Sequence, residues 1–264
     1  MKLKIKLPVA ALVLLLSVLL IGLGAKPVWN LYRLADYHMG TPTPGELTVM
    51  AYARENRIPY GTWPRSLIEL LDRNPETKDF VLGYPNRKEL AQEAFAPEQG
   101  STAPLLMQWD PRWGYEPYGS DYLAITGCGP TCLAMAGVHL TGDENFRPDR
   151  IAGFAERSGY YASGYGSSWT LISEGAEALG LTSTELPLVK KKITDALEGG
   201  HPVILAMGPG DFTSSGHYIL LVATEDGLFR VNDPNSRKNS EKLWSYEELE
   251  SQIRNIWAIG LPTV

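Results

Sequence analysis

Thr126-Gly127-Cys128-Gly129-Pro130-Thr131-Cys132-Leu133-Ala134-Met135 is the stretch whose reading decides the fold. It reads as the start of a buried helix with a thiol at its N-terminal end. Pro130 suits the first helical position, because its fixed φ fits there and its missing N–H would have no partner. Gly127 and Gly129 let the backbone turn tightly and keep side chains off the sulfur. Leu133, Ala134, Met135, Ala136 and Val138 then continue as an apolar run, which predicts a central helix packed on both sides. Unpaired N–H groups and the helix dipole favour an anion at Cys128, and that lowers a thiol's pKa. Cys132, four residues on, should face the core as a small apolar residue. On one helix the two Cβ atoms would lie about 5–6 Å apart. A disulfide prefers about 3.8 Å, so two free thiols are expected.

The surroundings narrow the class. The 264 residues are 44% hydrophobic and 20% charged, enough to bury one large core or two small ones. The formal charge is −6, and setting aside the four lysines of the acid-free Met1–Lys26 leaves −10 on the remainder. So acidic a body is a poor partner for nucleic acid or anionic lipid. Cys128 and Cys132 are the only cysteines, which excludes a disulfide framework. With no histidine pair nearby they make no closed zinc site, and no cofactor motif occurs.

Residues 1–26 read as a signal anchor. After the lysines of MKLKIK, Leu7 to Ala25 is uncharged and apolar, and a helix of that length would reach about 28 Å, enough for a bilayer core. The preceding lysines put the amino terminus inside and everything later outside, as a single-pass membrane protein with an extracytoplasmic C-terminal domain. The same run also reads as a signal peptide cleaved after Gly22 and Gly24, giving a secreted chain, although secretory apolar regions are usually shorter.

Residues 27–103 read as a helical membrane-proximal region. Val28 to Tyr37 recur at helical spacing, Met39 to Gly45 break the pattern, and Pro64 to Asp72 form a short amphipathic helix stopped at Asn74-Pro75. Further short turns fit Glu76 to Leu82 and Arg87 to Phe95. The segment is either a spacer packed on the body or an inhibitory or substrate-guiding element. Residues 104–264 change texture to aromatics, glycines and short β-rich runs. Ser168 caps an expected helix over Trp169 to Leu179, ended by Gly180. Leu188 to Leu197 gives another helix, and Pro202 to Met207 a buried strand. His217 to Ala223 and Leu228 to Asp233 pair through a turn at Asp226-Gly227. Ser245 with Glu248 forms a capping box for Tyr246 to Ile253, and Ile256 to Ile259 is the last strand. Helices followed by mostly antiparallel strands is an α+β arrangement.

A cysteine nucleophile needs a base, and the base needs an orienting group. Of four histidines, His38 lies in the connecting segment, His139 too far along the central helix, and His201 has no evident acidic partner. His217 starts a strand, and Asp233 ends its hairpin partner sixteen residues later. The two become neighbours across the ladder, which leaves the other imidazole nitrogen to face the thiol. An oxyanion would take the Cys128 N–H, with the Gln108 amide as candidate second donor. The aromatic stretch Trp109 to Trp113 reads as core and cleft wall, and the loop 159–168, rich in Gly, Tyr and Ser, as either a groove border or an ordinary surface loop.

Gln108, the Gly127–Met135 stretch, Gly216-His217-Tyr218-Ile219-Leu220-Leu221 and Asn232-Asp233-Pro234 together resemble the motifs of family thirty-nine of the papain-clan cysteine peptidases. Its best-known members cut bacteriocin leader peptides after a double glycine. The resemblance covers about Pro104 to Leu261. It implies a papain-like fold, Cys128 as nucleophile, His217 as base, Asp233 as orienter, Gln108 as oxyanion donor, and a peptide or protein substrate. Gly127 stands where the bacteriocin peptidases commonly carry an acid. The gap from Gln108 to Cys128 is longer than theirs, and no transporter domain follows. This resembles a stand-alone exported branch, and the double-glycine preference does not transfer. A non-hydrolytic peptide-binding module and a transglutaminase-like acyl-transfer enzyme are the alternative readings.

Overall fold

The computed structural model describes residues 41–92, 94–96, 100–164 and 166–262. The expected anchor over 1–26 and the helical pattern over Val28 to Tyr37 lie outside them. Among the described residues no helix is long and apolar enough to cross a membrane. They fall in two compact units, the first ending at Asp72 and the second beginning at Arg73.

In the first unit, helix α1 (Pro44–Glu55) starts with a capping box. The Thr43 hydroxyl accepts from the Glu46 N–H (3.1 Å), and the Glu46 carboxylate accepts from the Thr43 N–H (2.8 Å). Helix α2 (Arg65–Arg73) buries Leu67, Ile68, Leu70 and Leu71. Asp72 ties its end to the start of α1 by accepting from the Gly45 N–H (2.7 Å) and the Thr43 hydroxyl (2.6 Å). A carboxylate there also complements the positive end of the α1 dipole.

The second unit opens with helices α3 (Lys78–Gly83) and α4 (Arg87–Leu90), the latter shorter than the sequence suggested. A ribbon of β1 (Pro117–Tyr118) and β2 (Asp121–Tyr122) leads through α5 (Leu123–Thr126) into the central helix α6 (Cys128–Thr141). Then come α7 (Pro148–Arg157), a ribbon of β3 (Tyr161–Ala162) and β4 (Gly166–Ser167), and α8 (Glu174–Ala178). The remaining chain is β5 (Thr182–Glu185), α9 (Lys190–Glu198), β6 (Val203–Met207), β7 (His217–Glu225), β8 (Leu228–Asn232), α10 (Arg237–Glu241), β9 (Leu243–Trp244), α11 (Tyr246–Glu250) and β10 (Ile253–Gly260). Six strands form one antiparallel sheet in the order β5-β10-β6-β7-β8-β9.

The sheet is covered on both faces, which explains why β6 is apolar throughout rather than alternating. Ile204 and Ala206 join Leu133, Met135 and Val138 of α6, while Val203, Leu205 and Met207 join Ile193 of α9 in a separate core. Each large side chain so buried contributes about 1.5–3 kcal/mol. Asp226 and Gly227, with φ of 51° and 77°, make the tight turn between β7 and β8.

Three expectations need correction. The central helix begins at Cys128, so Pro130 is its third residue rather than its first. The missing N–H still costs nothing, since the first four N–H groups of a helix lack partners. The helix expected over Trp169 to Leu179 is broken into a 3-10 turn (Trp169–Leu171) and α8. The Ser168 hydroxyl does not cap it, being hydrogen-bonded to the Thr170 hydroxyl instead (2.5 Å). Helix α11 stops at Glu250, because Ile253 is already paired with Met207 in the sheet.

Candidate active site

Gly127 joins α5 to α6 in a bend that admits no side chain: a Cβ there would lie 2.5 Å from the Leu123 carbonyl oxygen. Its own carbonyl accepts from the Thr131 N–H (3.0 Å) and hydroxyl (2.8 Å), which fixes the first turn. Cys128 therefore opens the helix, partly exposed, while Cys132 is fully buried; both are free thiols. Gly129 makes room beside the sulfur for Ser167, whose hydroxyl would be 2.6 Å from a Cβ at that position. Ser167 is held in turn by the Tyr118 hydroxyl (2.7 Å) and by the Tyr218 hydroxyl, which donates to its carbonyl (3.2 Å).

His217 is the first residue of β7, opposite Met207. Its Nε2 lies 2.8 Å from Asp233 Oδ1. A carboxylate only accepts, so Nε2 carries the proton and Nδ1 is left to hydrogen-bond the Cys128 thiol. A β-bulge between Leu221 and Ala223 makes this pairing possible. With the bulge, the register carried one residue past β8 sets Asp233 opposite Ile219, on the same face as His217. Without it Asp233 would fall opposite Leu220, on the other face. The two side chains then meet as diagonal neighbours, within reach of long side chains.

Asp233 is 1% exposed and fully partnered. Besides His217, the Asn235 N–H donates to Oδ1 (2.8 Å) and Asn239 Nδ2 donates to Oδ2 (2.8 Å). Its own N–H donates to the Ser240 hydroxyl (2.9 Å). Asn239 was not legible as a site residue, since a polar residue in a short polar helix reads as a turn former. Nor were Asn74 and Glu76, about 160 residues upstream. Asn74 Nδ2 donates to the Asn235 carbonyl (2.6 Å), and Glu76 accepts from the Ser236 hydroxyl (2.6 Å) and the Arg237 N–H (2.8 Å).

Gln108 bridges the two halves of the site. Its N–H donates to the carbonyl of Pro234, next to Asp233, and its Nε2 to the carbonyl of Ala124 in α5, both at 2.8 Å. Its Oε1 is buried without a partner among the described residues. His217 and Asp233 are thus joined directly and Cys128 shares the cleft with His217, while Gln108 is tied to the backbone beside Asp233 and to α5 without lining that cleft. His38 lies outside the described residues, and His139 and His201 take no part in the site's hydrogen bonds.

Burial raises both thiols, and charge acts oppositely on the two. Burial would push Cys128 up, but the His217 hydrogen bond, its positive charge, and the N–H groups of Tyr218 and Gly129 outweigh it, so the thiol lies below its ordinary 9.0. Burial together with the nearby Cys128 and Asp233 pushes Cys132 well above 9.0. For His217 burial would lower the pKa, but the Asp233 charge and hydrogen bond, with those of Cys128, raise it from 6.5 to about 10. The Cys128 and His217 shifts both favour the thiolate–imidazolium form of the pair.

The sulfur opens into a cleft of about 260 Å³ lined by Cys128, Ser167, Trp169, Met207, His217 and Arg254 among others. Two larger grooves of about 520 and 500 Å³ contain neither a thiol nor a histidine. Among the described residues no group of three or more His, Cys, Asp or Glu is placed to hold a metal ion.

An α+β domain with a thiol at a helix start and an imidazole–carboxylate pair on a neighbouring β-ribbon has the layout of a cysteine hydrolase. The profile described as Peptidase_C39 like family matches residues 101–259, and the chain belongs to that family. Among solved structures, the chain is similar to the peptidase domain of Streptococcus ComA, a bi-functional ABC transporter of a quorum sensing pathway. That match is at 18% identity and a TM-score of 0.41, over 52% of this chain and 93% of that one. A C39-like peptidase from Bacillus anthracis is similar at 16% identity and a TM-score of 0.36, over 60% of this chain and 94% of that one. No curated protein matches the chain significantly.

Proposed function

We propose that this protein is an exported, membrane-tethered cysteine peptidase. The observation that carries the proposal is the His217 imidazole, held by Asp233 on one nitrogen at 2.8 Å and sharing its cleft with the Cys128 thiol. The Cys128 thiolate attacks a peptide carbonyl carbon, a C–S bond forms, and the carbonyl electron pair moves onto oxygen. The Cys128 N–H and the Gln108 amide stabilise that oxyanion, a role for which such donors are each worth about 10²–10³ in rate. His217 gives its Nδ1 proton to the leaving amine as the C–N bond breaks. Water then attacks the thioester while His217 takes its proton, and the thiolate departs with the C–S electron pair. Asp233 keeps the imidazole in the tautomer that can do both. Leu7 to Ala25 would hold this domain at the outer face of the membrane.

An uncharged chloroacetamide peptide probe tests both parts of the proposal on the full chain. Labelling should survive Cys132→Ala, vanish in Cys128→Ala, and sediment with membranes. Labelling that follows Cys132 would overturn the active-site assignment, and a labelled band confined to the soluble fraction would overturn the tether.

A further inference from the structure

The cleft beside Cys128 carries one full-time charge, and its sign is positive. The cleft lining is Cys128, His217 and Arg254 with small, aromatic and apolar residues, and no acid among them. The position of Arg254 is built rather than incidental. It is the extra residue of a β-bulge in β10: Ile253 pairs with Met207 and Asn255 with Ala206, which leaves Arg254 out of the ladder. Such bulges re-aim a side chain. The guanidinium lies over Gly208, where a Cβ would come within 2.5 Å of Nε and 2.6 Å of Cζ, so a larger residue there would displace the side chain from this position. Its Nη1 donates to the carbonyls of Ser251 (3.1 Å) and Ile253 (3.0 Å), fixing the fork. Among the described residues no carboxylate pairs with it, although elsewhere in the second unit Arg112, Arg147 and Arg230 each hold one. The exposed Arg254 thus presents an unneutralised fork on the wall of the site.

We infer that Arg254 is a specificity determinant that binds a substrate carboxylate within three residues of the scissile bond, an inference that rests on the peptidase reading above. Arg254 and His217 stand at one end of the sheet on β10 and β7, separated only by β6. Two strand spacings come to about 10 Å, and an extended peptide advances about 3.3 Å per residue. A carboxylate suits the fork because a guanidinium can bind it through two parallel hydrogen bonds. The carboxylate can be that of an Asp or Glu side chain or of the peptide's own C-terminus.

Amidated peptide libraries carrying Asp or Glu, their Asn or Gln counterparts, or Lys at each position distinguish the side-chain source. Free-acid peptides without internal acids report on the C-terminal source. In the full chain, kcat/KM for the preferred acid should exceed that of its amide counterpart by about 10–100-fold, the range of a hydrogen bond to a charged group. Arg254→Ala should bring the ratio near one, Arg254→Lys should keep part of it, and Arg254→Glu should turn the preference toward Lys. Alkylation of Cys128 by uncharged chloroacetamide, measured alongside, reports that the site is assembled. A chain that alkylates and cleaves with no preference for acids, or whose preference survives Arg254→Ala, overturns the inference. Absence of alkylation at Cys128 in the unmodified chain overturns the peptidase reading instead.

Discussion

Two identical side chains one helical turn apart meet opposite fates in this molecule. Cys128 sits where α6 has unpaired N–H groups, with an imidazolium in hydrogen-bonding contact, and its thiol is held below the ordinary range. Cys132 is packed among Leu133, Met135 and the sheet, and its thiol is pushed well above that range. Cys128 is partly exposed and Cys132 fully buried, yet burial raises both thiols, so it does not account for their opposite shifts. What separates them is whether an opposite charge has been delivered to the sulfur. Reactivity here belongs to the meeting point of a helix start and a β-ribbon, and not to the cysteine as such.

The strongest way to break this contrast is to remove the charge that holds the imidazolium. Asp233→Asn should lower kcat/KM by about 10²–10⁴-fold. The turnover rate should climb with pH as the Cys128 thiolate forms below its ordinary range, and fall near pH 10 as His217 loses the proton it gives to the leaving amine. In Asp233→Asn the falling limb should move to lower pH, while Cys132 stays inert. The same linkage gives a stability sign. His217 has its folded-state pKa raised, so its contribution is complete below about 6.5 and is lost as pH rises through about 10. A falling limb unmoved in the variant would show that Asp233 does not set the contrast.

A smaller effect should come from the segment before the domain proper. Glu76 and Asn74 brace the loop 235–237, which in turn supplies the Asn235 N–H to Asp233. The pair Asn74→Ala and Glu76→Gln should lower kcat about 3–10-fold with little change in KM, the pattern of a lost positioning contact rather than of lost substrate binding. The high-pH limb of turnover set by His217 should shift with it. Unchanged kcat would mean that the loop holds itself. The smallest expected effect lies at the inert thiol. Cys132→Ser buries a hydroxyl in an apolar site and should cost about 1–3 kcal/mol, lowering Tm by several degrees while leaving the Cys128 alkylation rate unchanged.

Much of this was legible from residues alone. The apolar run after Cys128 demanded a covered helix, Asp226-Gly227 demanded a tight hairpin, and the apolar β6 a strand buried on both faces. Those are local consequences of side-chain pattern and backbone freedom, so they can be read within about ten residues. The helix start at Cys128 and the interruption before α8 were misplaced, the second because the Ser168 hydroxyl bonds Thr170 instead of capping. Asn239, Asn74 and Glu76 left no signal, since each acts only through a loop that tertiary packing brings to it.

By itself, then, the sequence determined which groups could react: one thiol at a glycine-flanked helix start, one histidine and one aspartate on the arms of a hairpin, and a glutamine upstream. The hairpin already made the histidine and aspartate neighbours; only the tertiary structure decided the register that seats them on one face, and that a cation waits in the same cleft. Both outcomes turn on single extra residues in the ladder, one between Leu221 and Ala223 and one at Arg254. A strand alternates faces with every residue, so one unpaired position re-aims every side chain beyond it. Which position is left unpaired depends on the neighbouring strand, and no local pattern records it.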